Sequence, residues 1–123
     1  MRKILLLVCL IAVPVNAQSP VATPNSLLEW DQAALDVSTA QSYIYKYYLD
    51  GSLTGFVLSP INCVANGTLF NCSTKFPTIS PGTHTLQLTA GNEAGESLKS
   101  SPFGFAFVTV PITPGNIRIR GGG

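Results

Sequence analysis

Charge is scarce in this chain of 123 residues, with Asp, Glu, Lys and Arg together at 11%. Nucleic-acid binding needs clustered cations that displace counterions from phosphate, and no such cluster exists outside the last few residues, so DNA and RNA are excluded as partners. Histidine occurs once, as His84, so a hydrolytic triad has one available base and a tetrahedral zinc site falls short of ligands. Long apolar runs are also missing. The longest, Ile4 to Val13, is about ten residues, whereas a spanning helix needs roughly 20. No glycine-rich phosphate loop leads into a helix and no EF-hand pattern occurs, so no cofactor is expected. At this length one small domain is expected.

What is present begins with an export signal. Arg2 and Lys3 precede the short apolar run, and Val15-Asn16-Ala17 puts small residues where signal peptidase reads, which predicts a signal peptide over residues 1–17 cleaved after Ala17. Cys9 falls inside that segment and goes with it; Val8 is too bulky for a lipoprotein signal. The remaining chain has five basic and six acidic side chains, a net charge near −1. Secretion, display at the cell surface or release into a periplasm all fit. Cys63 and Cys72 then form an even pair in an exported chain, which reads as one disulfide; metal ligation by thiolates is the weaker alternative. The two cysteines flank Asn66-Gly67, a hairpin-turn dipeptide. Asn66-Gly67-Thr68 and Asn71-Cys72-Ser73 fit the N-glycosylation pattern, and are read as turn chemistry unless the host glycosylates exported proteins.

Period-two alternation dominates the rest, so the fold class is all-β. Residues 18–25 carry prolines and run extended. Leu28 and Trp30 share the inner face of a first strand, with Glu29 outside. Residues 31–41 lack alternation and read as a loop, with a helical turn available at Ala33-Ala34-Leu35. Ser42 to Asp50 is the most strand-like stretch, with Tyr43, Tyr45 and Tyr47 on one face and Ile44, Lys46 and Tyr48 on the other. Asp50-Gly51 marks a turn, followed by a strand from Thr54 to Ser59 and a pair at Ile61–Val64 and Thr68–Thr74. After Pro81-Gly82, inward His84, Leu86, Leu88 and Ala90 alternate with Thr83, Thr85, Gln87 and Thr89. Phe103, Phe105 and Phe107 repeat every second residue and drive a last strand into the same core.

Trp30, the aromatic strand at Tyr43–Tyr48, Pro81-Gly82-Thr83, and the run Ala90-Gly91-Asn92-Glu93-Ala94-Gly95-Glu96-Ser97-Leu98-Lys99-Ser100 together resemble the fibronectin type III family, over roughly residues 24–110. The resemblance implies an Ig-like β-sandwich of about seven antiparallel strands spanning residues 26–111. It also implies a corner tyrosine after the Pro-Gly turn, a place where this chain has His84. The Cys63–Cys72 pair is not general in that family.

No matched constellation for catalysis exists, and the chain is read as a non-enzyme. Asp31 with Asp36 and Glu93 with Glu96 are the available carboxylate pairs, but nothing builds a cleft around them. By analogy with the family, the expected function is binding of an extracellular protein or glycan through residues 31–41, 50–53 and 91–102. The candidate contact residues are Asp31, Gln32, Asp36, Asn92, Glu93, Glu96 and Lys99. The alternative is a structural subunit of an extracellular or virion surface assembly. In it the C-terminal tail, residues 112–123, self-associates by strand pairing, since Ile117 and Ile119 alternate with Arg118 and Arg120.

Overall fold

The computed structural model describes residues 19–122. The expected signal peptide and its cleavage site lie outside the described residues. Among those described, nine strands and one short helix follow in order: β1 (Val21–Ala22), β2 (Leu27–Gln32), α1 (Val37–Ser42), β3 (Ile44–Leu49), β4 (Phe56–Val57), β5 (Asn62–Asn66), β6 (Leu69–Lys75), β7 (Gly82–Asn92), β8 (Gly95–Glu96) and β9 (Phe103–Phe107). One sheet has the order β1-β9-β7-β3-β4, with β8 folded back on β7; the other has the order β2-β6-β5.

The two sheets share one core. Tyr45, Leu86, Phe105 and Phe107 enter it from the first sheet, and Leu28, Cys63 and Cys72 from the second. Aromatic rings bridge them, Trp30 to Tyr45 at 4.9 Å between centroids and Phe76 to Phe105 at 5.2 Å. Burying each of these large side chains contributes about 1.5–3 kcal/mol. The β3–β7 register explains why two inward tyrosines fit. Tyr45 stands opposite Ala90 and Tyr47 opposite Leu88, so large side chains meet smaller ones on the buried face. The Tyr45 hydroxyl donates to the Ala40 carbonyl at 2.7 Å, and burial pushes its pKa up to about 12.

Cys63 and Cys72 are directly opposed on β5 and β6, 4.0 Å apart at Cα, and form a disulfide. The hairpin turns at Asn66-Gly67, where Gly67 takes the positive φ of 64°.

Several local expectations change. The count of strands rises from about seven, and one pairing is parallel: β1 lies beside β9, with Val21 opposite Ala106. The N-terminal segment therefore belongs to the fold, and Ala22 is buried. Residues 31–41 are not one loop. Asp31 and Gln32 continue β2 opposite Asn71 and Phe70, and α1 follows the Ala33-Ala34-Leu35 segment instead of using it. Asp36 starts that helix because its carboxylate accepts the Thr39 N–H at 2.8 Å, which also lowers its pKa. Tyr43 caps the helix in extended geometry, so β3 begins only at Ile44. The strand expected over residues 54–59 shortens to Phe56–Val57. Residues 91–102 are partly strand, since β7 runs on to Asn92 and returns as β8. Phe103, expected in the core, is 47% exposed, because it opens β9 at the margin of the sheet. Tyr48, on the outer face, is buried, and the backbone of Gly55 lies against its ring.

Candidate functional site

Three places concentrate chemistry. The first surrounds His84. Its Nδ1 donates to Asp50 Oδ2 at 2.7 Å and its Nε2 donates to the Ser80 carbonyl at 2.8 Å, while Ser80 Oγ lies 3.4 Å from the same nitrogen. Asp50 also accepts the Thr85 N–H at 2.9 Å. The residue types are those of a Ser-His-Asp triad, but both imidazole protons are committed, one to a carboxylate and one to a carbonyl. Asp50 and then the Ser80 carbonyl hold the His84 pKa above its usual value, and His84 and then the Thr85 N–H hold Asp50 below its own. An imidazolium so placed has no lone pair with which to take a proton from Ser80. What it does is tie the β3–β4 turn to β7 and to the residues just before β7.

The second place is the outer face over Tyr48. Glu96, at the end of β8, accepts from the hydroxyls of Thr89 and Tyr48, which lowers its pKa and raises that of Tyr48. Lys99 Nζ sits 4.3 Å above the Tyr48 ring centroid and donates to the Ser52 carbonyl. Glu96 and Lys99, expected as ligand contacts, thus hold the 95–100 segment to the sheet. Gln32 and Asn92 line a cavity of about 360 Å³ together with Glu96, and the remaining expected contact residues lie apart from it. Asp36 caps α1, the Asn92 side chain accepts from Ala94 N–H to form the β7–β8 turn, and Gln32 donates to the Ala33 carbonyl. Asp31 on β2 and Glu93 in the β7–β8 turn are exposed. The structure does not bring these seven residues together as one site.

The third place was not anticipated. The outer edge of β2 has no strand beside it among the described residues, because β1 pairs with β9 instead. Between that edge and residues 97–103 lies a groove of about 510 Å³ whose buried floor includes Leu28 and Leu86 and whose exposed rim includes Leu98 and Phe103. Trp30 and Leu88 also line it. The far wall is held in place by two serines that sequence reasoning passed over. Ser97 Oγ accepts the Ala90 N–H at 3.0 Å and Ser100 Oγ accepts the Leu88 N–H at 2.9 Å, both from β7. The same hydroxyls donate to the Leu98 and Ser101 carbonyls, so the wall presents little unengaged polarity to the groove. Only the polar, serine-bearing composition of the segment hinted at this, and many loops share it.

Among the described residues no three His, Cys, Asp or Glu side chains gather where a metal ion would be held, and no helix is long and apolar enough to cross a membrane. In comparisons with protein-family models, curated proteins and solved structures, nothing matches this chain.

Proposed function

We propose that this chain is a non-catalytic, exported module of the Ig-like, fibronectin type III kind that binds an extended polypeptide segment along the outer edge of β2. The observation that carries the reading is the six-residue edge of β2, which has no strand beside it among the described residues and borders a largely apolar groove. A row of free peptide N–H and C=O groups beside an apolar trough suits strand addition, in which the backbone supplies affinity and alternate side chains fill the trough.

The sandwich reading is supported by sheet order. If β2, β3, β4, β5, β6, β7 and β9 stand for strands B, C, C′, D, E, F and G, the sheets are B-E-D and C′-C-F-G, the partition of Ig-like domains. His84 fits the corner role as well, since it reaches back to the backbone four residues upstream. Export is supported by the basic and apolar N-terminus and by the disulfide.

Trp30 is the sole tryptophan and lines the groove, so its fluorescence reports occupancy. Short synthetic peptides that alternate apolar and polar residues should shift its emission saturably, and Leu98→Asp on the exposed rim should weaken that binding. A panel with no shift and no binding by calorimetry overturns the reading. A second reading, a subunit of an extracellular or virion surface assembly, is favoured by the exposed alternating C-terminal segment.

A further inference from the structure

The C-terminal segment leaves the fold after β9. The Val108 N–H donates to the Ala22 carbonyl at 2.9 Å, and from Val108 to Gly122 every residue is exposed. Ile117 and Ile119 are 92% and 95% exposed, a placement that branched apolar side chains do not favour in water. They alternate with Arg118 and Arg120, so in a strand the isoleucines share one face and the arginines the other. The free edge of β2 has the complementary pattern. All four of Leu28, Glu29, Trp30 and Asp31 border the groove, with Leu28 buried and Trp30 half-buried on one face of β2 and Glu29 and Asp31 exposed on the other.

We infer that the groove receives the segment Ile117–Arg120 of a second copy of this chain, which joins copies head to tail. The inference rests on the reading of the groove as a strand-binding site, and it names the partner. A strand laid along β2 pairs residues that share a face. Ile117 and Ile119 then enter the trough beside Leu28 and Trp30, and Arg118 and Arg120 stand beside Glu29 and Asp31. Because both patterns have period two, the charges match whether the added strand runs parallel or antiparallel.

The occupant comes from another copy because the tail does not return to its own. Pro111 and Pro114 fix their φ and bias the residues before them toward extended backbone, and the two isoleucines remain almost fully in solvent. Donor segment and acceptor groove are different surfaces, so the contact is heterologous and repeats from copy to copy, giving a closed ring or an open fibre.

The test uses the full chain after export. Sedimentation over a concentration series should show oligomers larger than a dimer, and a synthetic peptide of residues 111–120 should dissolve them while shifting Trp30 emission. Glu29→Arg with Asp31→Arg, or Arg118→Glu with Arg120→Glu, should each weaken self-association by about tenfold or more. All four positions are exposed, so folding is kept. Mixing the two double variants should restore assembly, because each groove again meets a tail of opposite charge. A chain that stays monomeric at every concentration and ignores the 111–120 peptide overturns the inference. So does a monomer whose Trp30 emission changes when residues 112–123 are removed, which reports docking within one copy. If peptides of other alternating sequence bind while the 111–120 peptide does not, the tail inference falls and the strand-binding reading stands. If none binds, both fall.

Discussion

His84 and Asp50 lie 34 positions apart in sequence, yet the imidazole Nδ1 stands 2.7 Å from the carboxylate Oδ2. The contact links the turn after β3 to the start of β7, and it titrates. His84 has its pKa raised above 6.5, so its contribution to stability is complete below that value and is lost as pH rises through the higher folded value. Asp50 is depressed below 3.8, so its contribution is complete above that value and is lost as pH falls through the lower folded value. Asp36 and Glu96, also depressed, add to the acid side. Thermal melts should therefore show greatest stability between those two ordinary values and a decline toward alkaline pH. His84→Gln should flatten the alkaline decline. Equal pH profiles for the two proteins above pH 6.5 would remove the imidazolium from this account.

Tyr45 should ionise late. Its hydroxyl is buried against the Ala40 carbonyl, which holds its pKa near 12. Ultraviolet titration should show phenol absorbance still developing well past pH 10, and Tyr45→Phe should reduce the amplitude of that late step by one phenol. A late step of unchanged amplitude in the variant would assign it elsewhere.

The Cys63–Cys72 disulfide closes a loop with a sequence separation of 9. In the chain-entropy view such a closure contributes about 2.5 kcal/mol through the unfolded state. Replacing both cysteines by serine should lower denaturant stability by at least this much, since Cys72 is fully buried and the new hydroxyl needs a partner. A double variant as stable as the parent contradicts the closure argument.

Gly55 lies so close to Tyr48 that an added Cβ would sit 2.5 Å from the ring's Cζ. The ring cannot swing aside freely, because Glu96 holds its hydroxyl and Lys99 covers its face. Gly55→Ala should cost about 1–3 kcal/mol by overpacking. The variant should also free the β8 segment, detectable as faster amide exchange over residues 95–100. Unchanged stability and exchange would show that the ring yields without cost.

Much of the architecture was legible in the sequence for a local reason. In any strand successive side chains point to opposite faces, so alternation alone assigned Tyr45, Leu86, Phe105 and Phe107 inward, and Asn66-Gly67 located the hairpin that opposes the two cysteines. Alternation assigns a face, but it names neither the neighbouring strand nor the free edge. Backbone hydrogen bonds look alike for every residue, so nothing in residues 21–22 declared that they pair with β9 and leave β2 uncovered. The groove follows from that choice, as does the exposure of Phe103 at its rim. Asp50 and His84, and Glu96 with Tyr48, were likewise brought together only by tertiary packing, since partners so distant in sequence leave no periodic trace. The sequence by itself determined which side chains share a face of each strand, through a period that every strand shares. Tertiary structure decided which edge stays open, through pairing that no side chain encodes alone.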